Sequence, residues 1–350
     1  MSDRVELRQV SKVYEGVTVV ETLDLSMKAG EFVVLLGPSG SGKTTLLNMI
    51  GGFAEPSAGQ VLIDGMDVTD LPPAKRPTAT VFQDYALFPH MSLANNVAFG
   101  LRMRQVPKAD RLAKAAEMLK LVGLEGFGSR GVHQLSGGQR QRVALARAMA
   151  VEPKVLLLDE PLGALDLALR RQMQEELVRL QRRSGATFVH VTHDQEEAMS
   201  IADRIVVVNK GRIEDMGPPD RVYLRPASLF AAQFMGESNV IAGRVVECVG
   251  PDIKIETAFG AVVIAGDGTP GAAVHIALRP EQLMLTPVAD SVGLGHGTVA
   301  EMSFQGTHCR CHCRIGNLDL ILRAPVSAGL TPGRDVALYA ARSDLVLLQR

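Results

Sequence analysis

The chain is 350 residues long, 46% apolar and 21% charged, with thirty-seven basic against thirty-eight acidic residues and a net charge of -1. That balance excludes a disordered or collagen-like chain, and the length calls for about two domains, since single cores stop growing near 250 to 300 residues. Near-zero charge also excludes a global positive field that would draw the chain onto nucleic acid or anionic lipid, so any polyanion must be bound locally.

In chain order, the start Met1-Ser2-Asp3-Arg4-Val5-Glu6 has no apolar signal core. No later stretch reaches the roughly 18 to 20 apolar residues that a membrane-spanning helix needs. Short apolar runs at 31–36, 78–82, 155–158, 187–192 and 205–208 predict strands. Residues 108–121 and 166–183 carry apolar side chains at helical spacing, among them Leu169, Met173, Leu177 and Leu180. Strands alternating with such helices predict a parallel sheet covered by crossover helices, an α/β domain. After Pro218, Pro219 and Pro226 the texture changes to β-branched runs broken by Gly, Asp and Pro, which sets a boundary near residue 238 and an all-β tail. The tail repeats weakly. Gly243-Arg244-Val245-Val246-Glu247 returns as Gly297-Thr298-Val299-Ala300-Glu301, and Pro270-Gly271-Ala272-Ala273-Val274 returns as Pro332-Gly333-Arg334-Asp335-Val336. Two similar β units packed in the manner of small barrels are therefore expected.

Gly37-Pro38-Ser39-Gly40-Ser41-Gly42-Lys43-Thr44 fits the phosphate-loop pattern, follows the first apolar run and opens a helix from Thr45 that stops at Gly51-Gly52. In such a loop the glycines let backbone amides point inward as an anion nest, the Lys bridges outer phosphates and the Thr hydroxyl serves Mg²⁺. Leu135-Ser136-Gly137-Gly138-Gln139 reads as a second helix N-terminus, capped by Ser136. Alone it is a plain capped helix; beside a phosphate loop it offers amides to the side of a phosphoryl group that the loop leaves open. The run Val155-Leu156-Leu157-Leu158-Asp159-Glu160 delivers two acids at the end of a buried strand, where open α/β sheets bind ligands. Asp159 suits Mg²⁺ through water, and Glu160 suits a proton acceptor for attacking water. Gln83 and His193 also follow apolar runs, so four strand ends converge if their strands are parallel neighbours.

These motifs, with Ala164-Leu165-Asp166, occur in the order and spacing that resembles the ATP-binding subunits of ABC transporters, over roughly residues 4–237. The resemblance implies a P-loop NTPase domain at 1–238 with a helical subdomain at about 84–152. It implies ATP and Mg²⁺ as cofactors, held by Tyr14 on the adenine, Gly37, Pro38, Ser39, Gly40, Ser41, Gly42, Lys43, Thr44, Thr45, Gln83 and Asp159. Of these, Thr44, Gln83 and Asp159 would face the metal. Catalysis would fall to Glu160, His193, Gln83 and Lys43. In that family two subunits sandwich two ATP molecules head to tail, so a partner chain's Ser136, Gly137, Gly138 and Gln139 would complete each site. Gly163 departs from the Ser common before Ala-Leu-Asp, which removes a hydroxyl but leaves Asp166 as a subunit contact.

The tail, 239–350, resembles the oligomer-binding-like (OB-like, TOBE-type) regulatory domain of importer ATPases, with Ala277-Leu278-Arg279-Pro280-Glu281 matching the recurrent Arg-Pro-Glu. Phe82-Gln83-Asp84-Tyr85-Ala86-Leu87-Phe88-Pro89-His90 and Phe234-Met235-Gly236-Glu237-Ser238-Asn239 are most similar to the spermidine/putrescine branch, whose relatives serve ferric iron, sugars, sulfate or phosphonate. The implied partners are a second copy of the chain, two integral membrane permeases and, indirectly, a periplasmic or extracellular solute-binding protein, with no nucleic acid. The implied place is the cytoplasmic face of the cell membrane, as a peripheral subunit. A soluble ABC ATPase acting on ribosomes or DNA is the alternative; such chains carry paired ATPase domains or a long coiled-coil insertion, and neither is present here.

Four cysteines, three of them Cys309, Cys311 and Cys313, are too few and too bunched for a disulfide framework. On one strand face they would stand about 6.6 Å apart, too far to share a zinc ion at about 2.3 Å from each sulfur. Buried structural thiols are expected, with metal or redox sensing as the other possibility.

Overall fold

The computed structural model describes residues 3–163 and 166–348. The chain folds as two compact units, Met1–Pro219 and Asp220–Arg350.

The first unit is built on a six-stranded sheet in the order Arg212–Gly217, Arg204–Asn209, Phe32–Leu36, Thr187–Thr192, Val155–Asp159, Thr78–Val81. The last five run parallel, and Arg212–Gly217 closes one edge antiparallel. Phe32–Leu36 is buried along its whole length, and so is Thr187–Thr192. Central parallel strands are covered on both faces, which is why they read in sequence as unbroken apolar runs. A second, four-stranded antiparallel sheet orders Val17–Lys28, Asp3–Tyr14, Ala58–Ile63 and Met66–Asp67. The sequence reading missed it, although Leu23, Leu25 and Met27 alternate buried with exposed neighbours, the period-two signature of a one-sided strand. Side chains from both sheets and from the helix Lys43–Gly51 share one core, including Val5, Leu46, Ile50, Leu157 and Val206. That helix stops at Gly52, whose φ of 78° is left-handed and whose amide bonds Met49 O.

The helical part comprises Leu93–Val97, Phe99–Met103, Lys108–Leu121 and Gly137–Ala150. Lys108–Leu121 buries Ala115, Met118 and Leu119 at helical spacing. The next long helix, Leu167–Ser184, is capped by Asp166, whose carboxylate accepts from Leu169 N at 3.0 Å. Ala164 and Leu165 of the expected Ala-Leu-Asp motif lie outside the described residues.

The second unit begins with two short helices, Pro219–Leu224 and Leu229–Phe234. The segment 220–238, expected at the end of the nucleotide domain, thus belongs to the β-rich unit. The cause is Arg279, only 2% exposed. Its guanidinium donates to the carbonyls of Tyr223 at 2.7 Å, Ala232 at 2.8 Å, Glu237 at 3.1 Å and Gly236 at 3.3 Å. Next to it, Glu281 accepts the Tyr223 hydroxyl at 2.6 Å, so the Arg-Pro-Glu motif is an anchor for the helices.

Two five-stranded antiparallel sheets follow. One orders Gly260–Ala265, Asp252–Thr257, Asn239–Val249, Ala273–Leu278 and Val346–Leu348. The other orders Leu318–Pro325, His308–Ile315, Ser291–Phe304, Asp335–Ala341 and Leu283–Met284. Their inner faces share one core through Ile241, Ile255, Leu294, Cys311 and Leu338. The repeated sequences take equivalent places. The register shifts between Val245 and Glu247 in one half and between Val299 and Glu301 in the other. Beside these bulges Val245 N donates to Ala272 O and Val299 N to Arg334 O, both at 2.9 Å. The return bonds match too: Gly271 N to Val245 O at 2.7 Å, and Gly333 N to Val299 O at 2.8 Å. Each half lends its last strand to the other. Leu283–Met284 pairs with Asp335–Ala341, and Val346–Leu348 pairs with Ala273–Leu278. The exchange covers an edge in each sheet and makes the halves interdependent.

Candidate functional site

The phosphate loop joins Phe32–Leu36 to Lys43–Gly51. Two glycines are required by the space around them. A Cβ on Gly37 would lie 2.0 Å from Val208 O, and Gly42 combines a φ of +102° with a Cβ position 2.9 Å from Val19 O. Ser39 and Gly40 at the loop's crown are exposed. Lys43 is only 5% exposed, and its ammonium donates to Gly37 O at 2.8 Å and Pro38 O at 2.7 Å. Ser41 Oγ lies 3.4 Å from the same nitrogen. Burial pulls the Lys43 pKa down from its ordinary value, opposed by the charges of Glu160 and Asp159. One cation thus faces two carboxylates across an amide-lined turn at a helix N-terminus, a cradle suited to a polyphosphate.

The strands ending before Gly37, Gln83, Glu160 and His193 lie side by side, with Leu36 level with Thr192, Asp159 with Val191, and Val81 with Leu158. One sheet edge therefore gathers these residues. Thr44 Oγ1 donates to Asp159 Oδ1 at 3.1 Å. Burial raises the Asp159 pKa, with the Thr44 bond and the charges of His190 and Lys43 acting the other way and that of Glu160 with it. A hydroxyl and a carboxylate at one spot are the hard oxygen donors that Mg²⁺ prefers, so the residues fit the metal expected there. Glu160 turns the chain with a φ of 44°, unusual for a residue with a Cβ. Its Oε1 lies 3.3 Å from His193 Nδ1. A carboxylate beside an imidazole can accept a proton from water and keep its orientation.

Ser136, Gly137, Gly138, Gln139 and Tyr14 belong to other elements. Ser136 caps Gly137–Ala150 in a capping box: Ser136 Oγ accepts from Gln139 N at 3.4 Å, and Gln139 Oε1 accepts from Ser136 N at 3.0 Å. Ser136 and Gly137 are exposed, whereas Gly138 packs under Leu169, whose Cδ2 would lie 2.8 Å from a Cβ placed there. Among the described residues, no hydrogen bond or ion pair joins this helix start to the phosphate loop. Tyr14 ends Asp3–Tyr14 with its ring exposed and the Lys12 ammonium 4.6 Å from its centroid. Among the described residues a Cβ at position 163 would meet Glu160 O alone, at an ordinary contact distance of 3.6 Å. Gln83 is exposed in the turn after Thr78–Val81.

A buried network behind His193 escaped the sequence reading. His190 Nε2 lies 2.9 Å from Glu197 Oε1, and Thr192 Oγ1 donates to Glu197 Oε2 at 2.6 Å. Asp194 caps the helix Gln195–Ile201 by accepting from Glu197 N at 3.0 Å, and Arg170 pairs with Asp194 at 2.9 Å. Desolvation works against the Glu197 charge, yet His190 and Thr192 hold its pKa below the ordinary carboxylate range. This network fixes the strand end that presents His193. The acid three residues after the capping Asp194 is the available signal.

Cys309, Cys311 and Cys313 all face the core, 8%, 0% and 1% exposed, and are free thiols. Burial pushes Cys313 up to about 11, aided by Cys311. A buried thiol with so raised a pKa is neither a good metal ligand nor a nucleophile, and among the described residues no group of three or more His, Cys, Asp or Glu is placed to hold a metal ion.

The ABC transporter family matches residues 20–163, and the TOBE domain matches residues 276–348. The chain is 45% identical over 305 residues to the spermidine/putrescine import ATP-binding protein PotA of Clostridium novyi, covering 87% of this chain and 86% of that protein. It is 43% identical over 356 residues to the protein of the same name from Trichormus variabilis, covering 99% of this chain and 93% of that protein. Among solved structures, a dimeric post-hydrolysis state of the ATP-binding cassette MJ0796 bound to ADP and Pi superposes with a TM-score of 0.56 at 35% identity, over 61% of this chain and 98% of that one. A relative of this identity and coverage shows the family: the chain belongs to the ATP-binding proteins of the ABC transporters.

Proposed function

We propose that this chain hydrolyses ATP to power polyamine import, spermidine or putrescine, through two membrane permeases, acting as a homodimer at the cytoplasmic face. The observation that carries the reading is the single sheet edge on which Lys43, Asp159, Glu160 and His193 meet, with Glu160 Oε1 3.3 Å from His193 Nδ1. The names of the relatives supply the solute. Among the described residues no helix is long and apolar enough to cross a membrane, so the permeases would carry the pathway. A solute-binding protein would deliver polyamine from the far side.

Loop amides and Lys43 bind the phosphates, Tyr14 stacks on the adenine, and Gln83 and Glu160 orient the attacking water. Glu160 takes its proton, and His193 donates to the γ-phosphate oxygens as their charge shifts toward the leaving diphosphate. Thr44, Asp159 and Gln83 would hold Mg²⁺, which supplies charge neutralisation on the phosphates. The partner's capped helix start at Ser136 closes the open face with amide donors.

The test is reconstitution of the full chain with its permeases and solute-binding protein in vesicles holding ATP. Uptake of labelled spermidine or putrescine that needs the chain, and stops with Glu160→Gln, supports the reading. Hydrolysis that is indifferent to permeases and polyamine contradicts it.

A further inference from the structure

The segment between Gln83 and Pro89 carries two adjacent residues in the left-handed region, Tyr85 at φ 62° and Ala86 at φ 44°. Neither is glycine, so the turn is strained and must be held by its surroundings. Arg147, on the helix Gly137–Ala150, holds it. Its guanidinium donates to Ala86 O at 2.6 Å and Tyr85 O at 2.8 Å, and lies 5.5 Å from the Phe88 ring centroid. A planar fork spanning two successive carbonyls is a task that a lysine cannot repeat. Farther along, buried Asn96 grips Phe88, accepting from its N at 2.9 Å and donating to its O at 3.0 Å. Both grips come from the helical part of the first unit. On the other side the Tyr85 hydroxyl donates to Pro161 O at 3.4 Å, one residue past Glu160. The segment is thus tied at one end to the strand edge of the site and at the other to the helical part, with the half-buried Leu87 between the ties.

We propose that Arg147 is a positioning residue that keeps the Tyr85–Ala86 turn in its strained form, so that the apolar residues 86–89 meet the permease. This rests on the transport reading above. Arg147 touches neither the phosphate loop nor the acids, so its loss uncouples the partner from turnover rather than stopping turnover.

The experiment compares wild type, Arg147→Lys and the double variant Arg147→Lys/Ala86→Gly, each as full chain, alone and in vesicles with permeases and solute-binding protein. Glycine adopts positive φ freely, so Ala86→Gly supplies what the guanidinium enforced. The expected result is basal turnover of Arg147→Lys within about threefold of wild type, polyamine uptake per ATP reduced at least about tenfold, and recovery of a third or more of that loss in the double variant. Amide exchange at 84–89 of the isolated chain should quicken in Arg147→Lys. Uptake per ATP unchanged in Arg147→Lys, or a loss that Ala86→Gly does not relieve, overturns the proposal, as does unchanged exchange. Were Arg147→Lys not to fold, Ala86→Gly alone decides: it should transport as wild type does, and loss of uptake with turnover intact overturns the proposal. Failure of the wild-type chain to drive uptake in the same vesicles would strike the transport reading instead, and the exchange result on the isolated chain would still judge the clamp.

Discussion

The strand edge of the first unit and the Arg279 anchor of the second treat polar groups in opposite ways. At the strand edge of the first, Lys43 is desolvated, Asp159 is pushed toward protonation and Glu160 sits in a strained backbone conformation. In the second, Arg279 is as deeply buried as any core residue, yet it spends its donors on four backbone carbonyls. Cys309, Cys311 and Cys313 are buried there, and burial raises the pKa of Cys311 and Cys313. Desolvated and strained groups gathered on one edge mark a place where a ligand has something to complete, whereas an arginine with every donor on backbone carbonyls holds a fold together. By that measure the chemistry belongs to the strand edge, while Arg279, like Arg76 bonded to the carbonyls of Met49, Ile50, Thr69 and Leu71 in the first unit, is architecture.

The largest expected effect tests the architectural side. Arg279→Ala leaves four carbonyls without their buried donor and should destabilise the second unit by about 3–5 kcal/mol. Thermal unfolding would show an early transition, and ATP binding below it should be unchanged; a variant that melts like wild type would erase the contrast. On the chemical side, Lys43→Ala removes a charge-assisted contact with phosphate and should weaken ATP binding by about 1.5–3 kcal/mol without lowering the melting temperature of the nucleotide-free protein. Titration with a fluorescent nucleotide checks it.

Mixing chains asks whether the open face is closed by a partner. Lys43→Ala and Ser136→Arg homodimers should both be inactive, while their mixture should regain activity, because one of its two shared sites carries neither lesion. If the mixture forms dimers and stays inactive, the site lies within one chain or both sites must fire together; cross-linking Ser136 to a nucleotide held by a tagged partner separates the two.

Smaller effects follow from titration. Burial raises the Asp159 pKa, so this carboxyl favours the folded state at pH below its unfolded value and loses that contribution as the pH rises through the folded value. Asp159→Asn should accordingly gain stability relative to wild type between acidic and neutral pH, measured by denaturant unfolding, and show no gain below the unfolded value. In the tail, iodoacetamide should label exposed Cys248 quickly in the native protein and Cys309, Cys311 and Cys313 only after unfolding.

Much of the first unit was legible because its signals are local. The run of apolar residues before Gly37 and Asp159 reports a strand buried on both faces, and a glycine-rich turn leading into a helix specifies its own geometry. Ser136 was legible as a cap for the same reason. What stayed hidden depends on pairing across distance. Nothing beside Arg147 announces that it grips Tyr85 and Ala86, and no local pattern ties Glu197 to His190. The sheet containing Asp3–Tyr14 was readable from its alternation but was passed over, since its strands are buried on one face only. In the tail the repeat foretold two similar halves. The exchange of Leu283–Met284 and Val346–Leu348 between them was not foretold, because edge pairing leaves no mark on either segment alone.

Single-turnover hydrolysis of ATP by Glu160→Gln, set beside its ATP affinity, tests most directly the claim that this strand edge is where water attacks. Glutamine keeps the size and hydrogen bonding of the side chain but cannot take a proton. The account predicts ATP affinity within about threefold of wild type and hydrolysis slowed by about 10²–10⁴, with an ATP-bound dimer accumulating. Hydrolysis within a few-fold of wild type at full ATP occupancy would contradict it.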